Sequence, residues 1–380
     1  MKTNQKIKLV SLFIGLMLAA LPTWAERGEE VEISKKVTVG LATEPDVTLE
    51  LSNKYGRVEV RSWARDSVWM EAKITASGKT REQAEKVLRR VSVDYRESRR
   101  YFSVETQYET TTERPALISS FMNMLNDTKA TLVDESNVKA DYVLYVPENA
   151  RLDLQNKFGD IILGQVSGRT TIDLAHGNLR ADKLSGKSIR LQLSFGEGEI
   201  RQLGTATLVT KFAKIFIDQA DLLRWRGVSS ELTLLSARQL DLEQSQKDEI
   251  KLGELQTLSG KANFSRLTLG TLTQGLRLEM SFGRLHAELV QRGFQYVDLQ
   301  TKSADINLRL DRESSYTVDV QALDDRLNFP VIWQQFLSDD DPLSESQVTD
   351  GERRIKGSIG ENPESRLLLR AEGGHITIQD

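Results

Sequence analysis

A chain of 380 residues, 39% apolar and 28% charged, has ample material for a large core, and its formal net charge of −4 lacks the basic surplus that a nucleic-acid backbone demands. It contains no cysteine. A disulfide framework and a lipid-modified cysteine are therefore excluded, and folding after export would need no oxidant.

Lys2, Lys6 and Lys8 precede a mainly apolar run from Leu9 to Leu21, followed by Pro22-Thr23-Trp24-Ala25. A basic start, a short apolar core and small residues at −3 and −1 predict a secretory signal peptide over 1–25, cut after Ala25. The run is too short for a comfortable helical span, and no later segment could cross a bilayer as a helix. The expected home is the periplasm or cell surface of a Gram-negative bacterium, with no stable membrane span after cleavage.

Residues 26–147 read as a region of their own. Val47-Thr-Leu-Glu-Leu51 followed by Asn53-Lys-Tyr-Gly-Arg-Val-Glu-Val60 has the polar/apolar alternation of a strand with one buried face. It recurs as Leu152-Asp-Leu-Gln-Asn-Lys-Phe-Gly-Asp-Ile-Ile-Leu163, so it is a first rung. Between these copies a strand ends near Ile74. Thr80 and Gln83 then form a capping-box start for a helix over 80–90, with Ala84, Leu88 and Val91 on one stripe. Strands are predicted around Val91–Tyr95 and Tyr101–Tyr108, so that helix and hairpin close the N-terminal end of the stack. An inserted loop, 110–139, carries the apolar patch Leu117–Leu125, a short amphipathic helix.

From residue 148 to 380 the chain repeats about every 18 residues. With markers at Phe158, His176, Phe195, Phe212, Ser229, Lys247, Phe264, Phe282, Ser303 and Gly373, the residues three and five positions on are apolar everywhere except at Gly198. The residues at +2 are all polar. A single strand pair of this length cannot bury its face alone, so successive units must stack. The fold class that follows is all-β: a single-stranded β-helix or solenoid with rungs of about 18 residues, capped by a small N-terminal α+β element. Glycines beside the markers (Gly159, Gly177, Gly196, Gly283) suit corners that need positive φ or a close backbone approach. An irregular acidic loop, 329–351, interrupts the repeat before the last unit, Ser365–Ile378.

Asn53-Lys-Tyr-Gly-Arg-Val-Glu-Val60, Tyr142-Val-Leu-Tyr-Val-Pro147 leading into Leu152–Leu163, and the closing Ala371-Glu-Gly-Gly-His-Ile-Thr-Ile378 together resemble the bacterial putative-adhesin family. These are exported β-solenoid domains related to the "head GIN" putative autotransporter adhesins. The resemblance spans nearly the whole mature chain and implies fold, export and an adhesin role. It supplies no catalytic motif.

Candidate sites are few. Asp160, Glu197 and Glu199, with Asp173 nearby, are the nearest approach to the paired carboxylates of a carbohydrate lyase or hydrolase, placed on neighbouring rungs by the repeat. The continuation of their column as Lys214, Glu231, Glu249 and Arg266 reads instead as a solvated charge ladder. His176, His286 and His375 fall at three different offsets, which argues against a shared metal site. No nucleophile elbow, phosphate loop or zinc motif occurs. No catalytic residue, cofactor or metal is therefore assigned. Phe216 and Ile162 stand out at +4, an outward column otherwise polar, and Trp333 with Phe336 lies in the irregular segment. These four residues are the candidate interaction surface, Trp333 doubling as a cover for the end of the stack. The sequence thus points to an exported, non-enzymatic β-solenoid acting in adhesion or cell-envelope interaction, its partner an envelope protein or glycan. The alternatives are a carbohydrate-active β-helix enzyme and a periplasmic scaffold or sensor binding a regulator.

Overall fold

The computed structural model describes residues 30–109, 137–336 and 351–380. The expected signal peptide, the Leu117–Leu125 patch and the acidic run 339–341 lie outside the described residues.

Each rung supplies two strands, one after the marker and one before it. Both form parallel ladders with the rungs above and below. On the first ladder Ile161, Leu179, Gly198, Ile215, Leu232, Ile250, Leu267, Leu285, Ile306 and Ile376 stand directly over one another. The +5 residues, Leu163 through Ile378, do the same. All of these positions are buried, Gly198 included. The second ladder has its own inward columns four and two residues before the marker, such as Leu191 and Leu193 or Leu278 and Met280. The two ladders share a core of stacked Leu, Ile and Val.

The corners between the ladders divide the two roles expected of the glycines there, positive φ and close approach, between neighbouring residues. His176, Phe195, Phe212, Ser229, Lys247, Phe264, Phe282 and Ser303 all have φ between 50° and 57°. The left-handed residue of each of these corners is thus the marker itself, a conformation that non-glycine residues rarely adopt. Of the glycines beside the markers, Gly159 carries positive φ itself, at 155°, while Gly177, Gly196 and Gly283 serve close approach. A Cβ on Gly177 would sit 2.1 Å from the carbonyl oxygen of Gly159, and one on Gly196 1.9 Å from that of Gly177. Elsewhere in that position stand Ala213, Ser230, Asp248, Ser265 and Ala304, all small or hydrogen-bonded inward.

The repeated Asn-Lys-aromatic-Gly motif has a physical reason. The Asn156 amide donates to the carbonyls of Gly56 and Gly159, 2.9 Å each, and Asn53 donates to Ala140 O and to Asn156 Oδ1. Two buried amides therefore satisfy corner carbonyls that the turn leaves unpaired.

Both ends are stacked out of chain order. The first rung, Thr48–Tyr55 with Val58–Trp63, lies between Arg151–Phe158 with Ile161–Val166 on one side and Tyr101–Tyr108 with Val138–Pro147 on the other. Val91–Ser98 and Ser67–Gly78 continue these ladders antiparallel, and Val31–Ala42 flanks the latter. The helix Arg81–Arg89 packs on these last two strands, its N-cap Thr80 accepting the Gln83 N–H. At the far end, Tyr316–Leu323 with Leu327–Asn328 forms a further rung that the repeat offsets did not disclose. The final rung, Ser365–Glu372 with Ile376–Gln379, slides between it and the rung of Tyr296–Lys302 and Asp305–Leu310. Glu352–Ile359 then pairs antiparallel on the outside of Tyr316–Leu323.

Asp319 clamps this inserted arrangement. Arg354 from the outer strand binds it bidentately at 2.9 Å, and Arg370 from the inserted strand reaches its Oδ2 at 2.8 Å. Burial alone would raise the Asp319 pKa, but the two guanidiniums outweigh it and hold the carboxyl down to about 2. The unfolded chain therefore binds this proton more readily than the native one. The clamp's stabilisation is complete above about pH 4 and is lost as pH falls through about 2. The shift corresponds to roughly 2 kcal/mol. We expect acid unfolding curves of wild type and Asp319→Asn to be well separated at neutral pH and to converge towards pH 2. A separation independent of pH would refute the assignment.

Register predicts a second outcome. Ile217 is fully buried, so Ile217→Asp should cost on the order of 3–5 kcal/mol, whereas Lys214→Ala on the exposed column should change stability by less than about 0.5 kcal/mol. Denaturant titration of both variants checks this.

Candidate functional site

Eight corners share a left-handed marker residue, and at Tyr55 and Phe158, where Gly56 (φ 110°) and Gly159 (φ 155°) carry the positive φ instead, the rings join the same line along the edge of the solenoid. Tyr55, Phe158, His176, Phe195 and Phe212 form a continuous stack, with ring centroids 4.9–5.3 Å apart and planes within 15° of parallel. Tyr108 closes its N-terminal end edge-on at 5.7 Å. After Ser229 and Lys247 the line resumes with Phe264 and Phe282, 5.1 Å apart. The rings stay wet: Phe195 is 50% exposed and Phe212 56%. An exposed apolar stripe of this length is unusual on a soluble surface.

A groove of about 540 Å³ runs beside the ladder over five rungs. Its walls are the +2 and +4 columns: Asp160, Glu197 and Lys214 on one, Ile162, Arg180, Glu199 and Phe216 on the other. Phe216 and Ile162 thus do face outward together in one groove. Its charges are mostly spoken for. Asp160 accepts the backbone N–H of Asn178 at 2.9 Å, and the Asn178 side chain accepts that of Glu197 at 3.1 Å. Glu199 pairs with Arg180 at 3.2 Å, and Glu231 with Lys251 at 3.1 Å and Lys214 at 3.8 Å. The invariably polar +2 column is explained in part by this bonding, since a short acceptor there reaches the backbone of the next rung.

The carboxylate set expected from the sequence is only partly assembled. Asp160 and Glu197 are not on neighbouring rungs, because Asn178 stands between them. Asp173 lies on the other ladder, in register with Gln155 and Gln192, and takes no part in the groove. The three histidines go separate ways: His176 into the aromatic stack, His286 onto the +4 column, His375 to within 3.6 Å of Asp305. Among the described residues no group of three or more acidic or histidine side chains could hold a metal.

Trp333 proves to be a cover and not a surface anchor. It is fully buried, donates its indole N–H to Tyr316 Oη at 3.0 Å and stacks on Phe329. Phe336 is half-buried over Gly357, where a Cβ would lie 2.4 Å from its ring. The outermost rung needs such a lid because, among the described residues, no further parallel rung covers it.

The aromatic ladder is the feature that sequence reasoning missed, although five of the twelve phenylalanines fall at one repeat offset. Holding phenylalanine in the left-handed region costs about 1–2 kcal/mol, and each stacked pair returns about 0.5–1.5 kcal/mol. Asparagine, at ease in that conformation, supplies a test. Phe195→Asn should be less destabilising than Phe195→Ala by on the order of 1 kcal/mol, despite its polarity. Thermal unfolding that ranks Ala as the milder change would contradict the corner geometry.

These features define a class: a two-ladder β-solenoid, closed at both ends, with an aromatic edge and a charged groove on its exterior. The chain belongs to the Toastrack DUF4097 family, whose model matches residues 47–378. No curated protein matches the sequence. Among solved structures it is similar to a "putative adhesin" of Bacteroides fragilis, at 8% identity over 73% of this chain and 97% of that one, with TM-score 0.30. It is also similar to a "putative lipid binding protein" of Parabacteroides distasonis, at 12% identity over 72% and 94% with TM-score 0.37. A "putative cell adhesion protein" of Clostridium sporogenes shares 10% identity over 92% and 98%, with TM-score 0.18. At such identities and scores these likenesses carry no argument about ligands.

Proposed function

We propose that the protein is exported to the periplasm or cell surface and works there by binding, in adhesion or cell-envelope interaction, without turning over a substrate. The observation that carries this reading is the half-exposed aromatic ladder with its parallel groove. Together they offer a long contact strip of alternating apolar and charged character, the geometry solenoids use for extended partners. Of the groove carboxylates, Asp160 is tied into a rung-to-rung bond and Glu199 and Glu231 into ion pairs, which suits a wall better than an acid/base pair. A partner from the envelope, protein or glycan, fits this strip.

The test uses the full chain expressed with its N-terminus intact. Fractionation should recover it outside the cytoplasm, beginning at Glu26. Saturable binding to purified envelope material should drop at least about tenfold when Phe195 and Phe212 are both replaced by Ala, a loss of more than about 1.4 kcal/mol. Incubation with acidic and neutral polysaccharides, with and without Ca²⁺, tests turnover. Release of unsaturated or reducing ends that disappears in the Asp160→Ala/Glu197→Ala/Glu199→Ala variant would overturn the binding reading in favour of a carbohydrate-active enzyme.

A further inference from the structure

The aromatic ladder is interrupted at one place, and the interruption has the shape of a site. Phe212, Ser229, Lys247 and Phe264 are successive corners with the same backbone, φ 50°, 50°, 57° and 53°. Each marker N–H donates to the carbonyl just before the next marker, at 2.8–3.1 Å. The column therefore runs straight through the gap. Rungs stack at the strand spacing, so the rings of Phe212 and Phe264 are about 14 Å apart, three steps of about 4.8 Å. Two ring positions between them hold no ring. Within the stack, ring faces cover one another and only edges meet solvent. Among the described corners, this gap is where two ring faces point towards each other across levels that carry no ring, a slot between the two stacks.

The floor and sides of the slot are polar and positive. Ser229 offers a hydroxyl at the first empty level, and Lys247 an ammonium at the second. Lys211, beside Phe212, adds another. Lys211 and Lys247 are exposed and make no ion pair among the described residues. The nearby acids do not compensate them: Glu231 is paired with Lys214 and Lys251, and Glu249 with Lys251 at 3.0 Å, which lowers the Glu249 pKa. Beyond the slot the same edge continues into a hollow of about 430 Å³ lined by Lys247, Phe264, Arg266 and Phe282 together with three carboxylates. Asp305 is paired with Arg284, Glu249 with Lys251, and Asp248 is buried and hydrogen-bonded, so that Arg266 makes no ion pair among the described residues.

We propose that this slot binds a uronic acid residue of an anionic glycan. A saturated sugar ring has a flat C–H face that fits over the open face of Phe212 at the level of Ser229. Its hydroxyls meet the serine and its carboxylate the ammonium groups of Lys247 and Lys211. A purely aromatic partner would be better served by a second phenylalanine at 247 than by a lysine. A neutral sugar would leave both lysines unused. The inference rests on the binding reading above and specifies its ligand.

Calorimetric titration of the full chain with an oligogalacturonate, a neutral cello-oligosaccharide of equal length and benzoate tests it. The oligouronate should bind, weakening as salt is raised, while the neutral chain and benzoate should not. Phe212→Ala and Lys247→Glu should each weaken binding about tenfold or more. Ser229→Phe should fill the slot, abolishing binding while raising the thermal midpoint by stacking on Phe212. Lys247→Glu alters only an exposed side chain and keeps the result readable if Ser229→Phe misfolds. Undiminished affinity in Ser229→Phe or Lys247→Glu would overturn the proposal, as would equal binding of the neutral chain. Benzoate binding as strong as the uronate's would show that the slot reads any flat carboxylate, which also overturns it. If envelope association persists without oligouronate binding, only the slot assignment fails; if both are absent, the broader reading fails with it.

Discussion

Every rung of this molecule depends on landing its strands directly over those of the rung before. None has a core of its own, so the inward columns are shared, and a slip of one residue would turn a buried isoleucine column into a buried polar one. The left-handed corner enforces the register. It reverses the chain within two residues at the same offset of nearly every rung, and a small or inward-bonded residue follows it so that one corner can nest on the last. The aromatic edge, the rung-to-rung acceptors of the groove and the ion-pair ladder are by-products of that alignment, which places like offsets in lines about 4.8 Å apart.

Departures from regularity collect where this rule is relaxed. In the middle of the stack the second ladder buries Trp225, its indole N–H on Thr210 Oγ1 at 3.0 Å, and the corner beside it buries Asp248, whose carboxylate accepts from Ser230 N, Ser245 Oγ and Gln246 N. Burial raises the Asp248 pKa, while those three donors pull the other way and make the charge tolerable. The adjoining Gly227 leaves the room this cluster needs, for a Cβ there would meet Asp248 at 2.4 Å and the Trp225 ring at 2.5 Å. A polar knot of this kind fixes one register at a place where leucines alone would tolerate several.

What could be read from the sequence was the first ladder, because its two columns are apolar without interruption and the intervening +2 residues are polar. The second ladder was obscured by its own chemistry: the column two before the marker contains Asn156, Thr210, Gly227, Ser245 and Thr301, all inward and none of them a strand-core residue by type. Propensity points a corner's positive φ at glycine, as holds at Gly56 and Gly159, yet in eight corners it falls on the marker, including Ser229, Lys247 and Ser303, which carry no ring. Treating the marker as punctuation between columns also hid the aromatic edge, the part of the exterior with the clearest chemistry. Phe216 and Ile162 were legible as outward apolar residues because their column is otherwise polar. Trp333 kept both roles, contact and cover, at the level of sequence, since its partner Tyr316 belongs to a rung with no marker of its own.

The final rung carries a consequence for how the molecule is assembled. Residues 365–379 leave the ribosome after 316–328, yet they sit nearer the middle of the stack. A chain threaded from its N-terminus cannot build this end like a column of coins. The outer rung must either wait undocked or be lifted off again to admit its successor, and only then can Arg370 and Arg354 converge on Asp319. The wedge so formed works as a keystone: it is placed late, is flanked on both sides by earlier masonry, and leaves a half-made chain with two exposed ladder edges that mark it as unfinished.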